Sequence, residues 1–323
     1  MNLEYVTYLF WRFPGLRIAE ESNELLRITP QVVAVELAKR KLKSYNMIEY
    51  IRAATWIVTT NGKAALRYLD LSFMGKVLLQ RALSRYPLTK TDNYGVRIHQ
   101  QIISTAMRLA CLISLGSRRP VLEHINMNHP VEEEQPVTSV EDVYRHCRLF
   151  RDLDSLRSRA QTGSESSDVK SNEKATANFD NFYLKLFEQV GLEEDSPPNA
   201  KDREAVFEIF VEAFQWQMVY VDRGRLRLLS TSVILNLSPY DRDQFQSLID
   251  TGKYDGRYGV YLDITQDYSA KAKNIEYLID DICWIPPSMM EAFLRFRNHT
   301  EGTFKASIQF ECDTYSERNK RQD

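Results

Sequence analysis

QTGSESSDVKSNEKATAN, residues 161–178, holds a single β-branched aliphatic side chain, Val169, and is otherwise Ser, Glu, Lys, Asp, Asn, Thr, Ala, Gln and Gly. So few apolar groups offset little of the conformational entropy lost on ordering, and the stretch reads as a flexible polar linker or loop. The character of the chain changes across it. Residues 1–160 carry 23 Lys plus Arg against 16 Asp plus Glu, and residues 161–323 carry 19 against 28, so the halves stand at about +7 and −9 while the whole chain is only −2. Net charge acts on association rather than on fold, so a basic body joined to an acidic one predicts two different sets of partners.

At 323 residues the chain exceeds the size at which one hydrophobic core stops growing, and two domains are expected. The predicted division is a basic, mostly α-helical domain over 1–160, a linker over 161–179 and a smaller, acidic α+β domain over 180–323, α+β overall. Apolar residues make up 43 % of the chain, enough for a real core. No apolar run reaches the roughly 20 residues that cross a bilayer, and the longest candidate, 107–115, is interrupted by Arg108. The apolar N-terminus, 1–13, lacks a basic leader and a small-residue cleavage site, which argues against a signal peptide. Cys111, Cys147, Cys283 and Cys312 show no metal-like spacing and read as reduced packing thiols of a cytoplasmic protein.

In the first half, Thr29 before Pro30 marks a helix start, and Val32, Val33, Val35, Leu37 and Leu42 supply the apolar stripe of a helix over 30–43. Met47, Ile48, Ile51, Ala54 and Val58 favour a second helix ending at Asn61-Gly62, against a competing strand over 54–60 rich in β-branched residues. Single helices are expected over 63–85, 96–115 and 139–159, the last opened by Ser139 and Asp142 in the spacing of a capping box. In the second half, helices are expected over 180–191, 202–216, 272–284 and 286–296. A hairpin is expected over 218–229 with its turn at 222–224, and strands over 258–265 and 303–310.

From Arg12 to Arg85 the chain has 13 basic and six acidic residues. Lys39, Arg40, Lys41, Lys43, Arg52, Lys63 and Arg67 are the candidate nucleic-acid contacts, because such a surplus in one region can track a phosphate backbone. Tyr45, Tyr50, Trp56 and Tyr68 lie among them as candidate stacking groups. The competing reading is that the Lys-Arg run favours a helix C-terminus and solvates it. Locally, a helix over 30–43 followed by a wing over 51–60 with a turn at Asn61-Gly62 resembles a winged helix, across under a fifth of the chain. Arg223, Arg225 and Arg227 of the second hairpin would form another basic edge, or simply blunt a sheet edge.

The chain contains no Gly-rich phosphate loop, nucleophile elbow, kinase set or dinucleotide fingerprint. Asp263, Asp267 and Lys271 are the nearest approach to a metal-dependent nuclease, without the usual carboxylate-x-Lys arrangement. His124 and His129, near Glu132 to Glu134, are weak metal candidates, and neither a metal nor a cofactor is expected. The composite expectation is a non-enzymatic accessory or adaptor subunit: a basic N-terminal domain on nucleic acid, an acidic C-terminal domain on protein. The alternatives are a purely protein-binding scaffold subunit, including head-to-tail homo-oligomers, and a nuclease using Asp263 and Asp267.

Overall fold

The computed structural model describes residues 32–51, 55–68, 70–88, 93–115, 122–124, 136–162, 169–171, 173–193, 198–229, 233–267 and 276–290. Its class is α+β, as the sequence predicts: helices dominate, and several small sheets accompany them.

The first described helix, α1 (Val32–Ser44), begins close to the Thr29-Pro30 signal. It ends where Asn46 enters the left-handed region at φ +56. There the Met47 amide reaches Leu42 O at 2.9 Å and the Asn46 amide reaches Lys43 O at 2.9 Å, the paired closure that satisfies the last carbonyls of a helix. The chain then turns into β1 (Ile48–Ile51) and β2 (Thr55–Val58), an antiparallel hairpin pairing Ile48 with Val58 and Tyr50 with Trp56. The helix expected over 47–58 is therefore a hairpin. Its periodicity was genuine, but Asn46 stops the preceding helix and the β-branched run Thr55 to Val58 suits a pleated surface.

Asn61-Gly62, expected as a turn, lies inside α2 (Thr60–Arg67). Thr59 caps this helix by accepting from Gly62 N at 3.0 Å and donates its own hydroxyl to Asn46 O at 2.6 Å, which binds the helix start to the end of α1. The single helix expected over 63–85 is two, α2 and α3 (Phe73–Arg85), because Ser72 caps α3 through Gly75 N. α4 (Asn93–Leu115) follows as expected, then a short strand β3 (Leu122–His124).

The helix expected over 139–159 is likewise divided at Cys147, whose ψ of 122 breaks the run, into α5 (Val140–His146) and α6 (Arg148–Thr162). The Ser139–Asp142 capping box is fully formed.

Parts of the polar stretch expected as linker carry structure. α6 extends to Thr162, β4 (Val169–Ser171) pairs antiparallel with β3, and α7 (Glu173–Val190) begins within it. The apolar face of α7 starts with buried Thr176 and Phe179 and continues through Tyr183 and Leu186, so packing of the later turns holds the polar first turn in the helix. Tyr183 receives the Arg108 guanidinium of α4 over its ring at 4.1 Å, and its hydroxyl lies 3.2 Å from Ser104 Oγ.

α8 (Ala200–Ala213), with its own Asn199–Asp202 capping box, packs Phe207 and Phe210 on Phe150 at ring separations of 5.4 and 5.2 Å. Buried side chains thus form one cluster with members from both sides of residues 161–178.

A 3-10 turn, Gln215–Gln217, leads into β5 (Met218–Asp222) and β6 (Arg225–Leu228), the expected hairpin. Its two turn residues, Arg223 and Gly224, both have positive φ, 51 and 67, the twist that right-handed strands require. Then come β7 (Asn236–Leu237), α9 (Pro239–Asp250), β8 (Tyr258–Val260), β9 (Asp263–Asp267), β10 (Glu276–Asp280) and β11 (Cys283–Trp284). They make a four-stranded sheet ordered β11-β8-β5-β6 and a three-stranded one ordered β7-β10-β9, and an isolated bridge pairs Arg227 with Ile234. The helix expected over 272–284 is instead the β10 and β11 region, and the strand expected over 303–310 lies outside the described residues. No described helix is long and apolar enough to cross a membrane.

Candidate nucleic-acid interface

Between residues 32 and 70 the chain has seven basic residues against three acidic ones. α1, the hairpin β1–β2 and α2 carry these side chains on one continuous unit. Lys39 and Lys43 lie four apart on α1, and Lys63 and Arg67 four apart on α2, so each pair shares a helix face. Lys43, Lys63 and Arg67 are exposed, and Lys39 and Arg40 are half-buried. Arg52, in the hairpin turn, lies outside the described residues.

Lys41 is directed elsewhere: its Nζ stands 5.2 Å from the Trp216 ring. Trp216 Nε1 donates to Ser44 Oγ at 2.8 Å, and Arg81 donates to Ser44 O at 3.0 Å. The C-terminal end of α1 is thereby fastened to the 3-10 turn and to α3. Trp216 could not be found from sequence, since nothing near it in the chain points to α1.

The aromatic candidates also separate. Tyr45 is buried at 4 % exposure, a core residue, whereas Tyr50 is 53 % exposed and meets Trp56 edge-to-face at 5.2 Å across the hairpin. Trp56 and Tyr68 are half-buried against the core. Tyr50 with Trp56 is therefore the aromatic surface that this unit offers.

Among the described residues, three further cations of the basic stretch that ends at Arg85 are turned inward or paired. Lys76 is buried on α3 at 1 % exposure. Arg81 and Arg85, on the same helix, face α8: Arg81 lies 3.4 Å from Glu212, and Arg85 lies 2.6 Å from Glu208 and 3.1 Å from Glu212. In the reverse direction Arg203 of α8 meets Glu141 and Asp154, both at 2.9 Å. Part of the charge asymmetry between the halves is thus paired within the chain. On the second hairpin, Arg227 is 3.2 Å from Asp222 and Arg225 is exposed.

The nuclease candidates are not brought together. Asp263 and Asp267 begin and end β9, opposite Asp280 and Glu276. Four residues of extended strand separate them by ~13 Å, too far to share one ion, and Lys271 lies outside the described residues. His124 sits on β3, and His129 lies outside the described residues. Among the described residues no group of three or more His, Cys, Asp or Glu is placed to hold a metal ion.

No protein-family model matches this chain, and no curated protein is similar to it in sequence.

Proposed function

We propose that the protein is a non-enzymatic accessory or adaptor subunit whose α1–β1–β2–α2 unit contacts nucleic acid and whose acidic C-terminal part binds protein. The reading rests on one observation. Once buried Lys76 and the internally paired Arg81 and Arg85 are set aside, the exposed cations Lys43, Lys63 and Arg67 fall on one unit, beside a solvent-facing Tyr50. The i, i+4 pair Lys63 and Arg67 on α2, with Lys43 on α1, suits phosphates, and an exposed ring suits a base. The reading places the protein in the cytoplasm, where its buried free thiols Cys111, Cys147 and Cys283 stay reduced.

Fluorescence anisotropy of the full chain with labelled oligonucleotides at two salt concentrations tests it. Each phosphate contact on duplex DNA contributes about 0.9 to the log-log salt slope. The Lys43→Glu/Lys63→Glu/Arg67→Glu variant should abolish binding at low salt while the circular dichroism spectrum is kept. Absence of binding by the wild type, or equal binding by the variant, refutes the reading.

The docking of basic α3 on acidic α8 favours one further reading, a protein-only scaffold using the same complementarity between copies. Light scattering across ionic strength checks it, since association between opposite charges weakens with salt.

A further inference from the structure

Three aspartates, Asp241, Asp280 and Asp281, gather about one arginine where the start of α6, the N-terminus of α9 and the β10–β11 turn come together. Asp241, Asp281 and Asp152 are 2 %, 4 % and 6 % exposed. Arg148 Nη2 stands 2.6 Å from Asp281 Oδ2 and 4.0 Å from Asp280 Oδ2. Asp281 is held in the left-handed region at φ +55, and its Oδ1 is buried without a hydrogen bond. One guanidinium does not balance the charges of Asp241, Asp280 and Asp281, and holding uncompensated anions out of water is costly.

The hydrogen bonds locate the missing charge. Ser238, the N-cap of α9, places its Oγ 2.9 Å from Asp280 Oδ1 and 3.2 Å from Asp241 Oδ2. A hydroxyl has one proton and cannot donate to two carboxylates at once. Asp280 Oδ1 is the shorter contact and also accepts from the Asp281 amide at 3.1 Å. Both contacts of Ser238 become hydrogen bonds when Asp241 carries its own proton and donates it to Ser238 Oγ.

We propose that Asp241, Ser238, Asp280, Asp281 and Arg148 form a proton-binding site that latches α6 to α9 and the β10–β11 turn, closed when Asp241 is the neutral acid and loosened when it ionises. The groups facing it are Arg148 and Asp152 from α6, Asp280, Asp281 and Cys283 from the β10–β11 region, and Cys147, whose thiol meets that of Cys283. Arg242, on α9 itself, is engaged with Leu237 O at 3.3 Å.

Electrostatics agree with this geometry. Burial, then the Asp281 and Asp280 charges, push Asp241 up to about 7, against Ser238 and Arg148. Burial pushes Asp281 up to about 6, although Arg148 draws it down. A native pKa above the unfolded value means that the folded chain keeps a proton the unfolded chain has lost. Stability therefore falls as pH rises from about 4 toward 7 and levels off above, by up to about tenfold in the unfolding constant per pH unit per proton.

The test uses the full chain. Infrared titration between about pH 5 and pH 8 should show a protonated carboxyl C=O component that halves near pH 7 and is missing from Asp241→Asn, whose amide keeps the donor to Ser238, leaving the Asp281 component that halves near pH 6. Urea unfolding should give Asp241→Asn a shallower pH dependence above about pH 6 than the wild type. If Asp241→Asn does not fold, the wild-type infrared titration and Asp280→Asn, which removes a neighbouring anion that raises Asp241 and should lower its midpoint, decide the matter. Absence of the component near pH 7 in the wild type, its survival in Asp241→Asn, or an unchanged pH slope overturns the proposal.

Discussion

Gly62→Ala sets two physical effects of opposite sign against each other. Gly62 is helical, in the first turn of α2, and helix propensity alone predicts that alanine would stabilise by about 1 kcal/mol. Packing predicts the reverse. A Cβ at this position would lie 2.2 Å from Met47 O, 2.7 Å from Val58 Cγ1 and 3.1 Å from Met47 C. Two of these atoms are backbone, so no rotamer change relieves the overlap.

Met47 O cannot move freely either, because it accepts the Thr59 amide at 3.0 Å and stands 3.2 Å from the Thr59 hydroxyl oxygen. Displacing it weakens the cap of α2 and the junction between α1 and the hairpin. Overpacking costs about 1–3 kcal/mol and loss of a cap about 1 kcal/mol. Set against the propensity gain, the net expectation is a destabilisation of about 1–3 kcal/mol.

Urea unfolding followed by circular dichroism measures this. Gly191→Ala is the comparison, since a Cβ there meets nothing within 4 Å and only φ +76 opposes it, a cost of about 1 kcal/mol. A Gly62→Ala protein as stable as wild type, or more stable, would refute the argument that close approach to Met47 sets this position.

Ser139→Ala removes half of the capping box of α5 and should cost about 1 kcal/mol by thermal unfolding. Asp142, the other half, is lowered to about 2: burial raises it, but hydrogen bonds from Thr138 and Ser139 outweigh that. Its contribution is full above about pH 4 and disappears as pH falls toward 2, so Asp142→Asn should flatten the acid limb of the stability curve. Arg223→Asn places a residue that tolerates positive φ in the β5–β6 turn and should stabilise by about 0.5 kcal/mol in chemical denaturation. Glu212→Gln should cost more than Glu208→Gln, because Glu212 serves both Arg81 and Arg85 and its side chain is 20 % exposed against 41 %.

The α+β class, helices α1 and α4, the Ser139–Asp142 box and the hairpin at Arg223-Gly224 could all be read from the chain. Each depends on residues within a few positions of one another: a cap oxygen before its helix, an apolar stripe, a turn pair. The misread elements have a different origin. Over 47–58, apolar side chains recur at helical steps, yet Met47, Ile48 and Val58 are buried at the base of a hairpin, where Ile48 pairs with Val58. Ser72 and Cys147 interrupt helices without Gly or Pro to announce it, so the apolar pattern ran through both breaks.

Charge shows the division most clearly. Composition alone determined that one half of this protein is basic and the other acidic, because charge is a sum over residues and needs no geometry. Where each charge goes is a matter of distance, and only the tertiary structure decided it. It turned Arg81 and Arg85 inward to Glu208 and Glu212, buried Lys76, directed Lys41 to Trp216 and left Lys43, Lys63 and Arg67 at the surface. It also gathered Asp241, Asp280 and Asp281 around Arg148, which lies more than 90 residues away in sequence. Coulomb energy depends on separation and on surrounding water, and the order of residues along a chain specifies neither until the chain has folded.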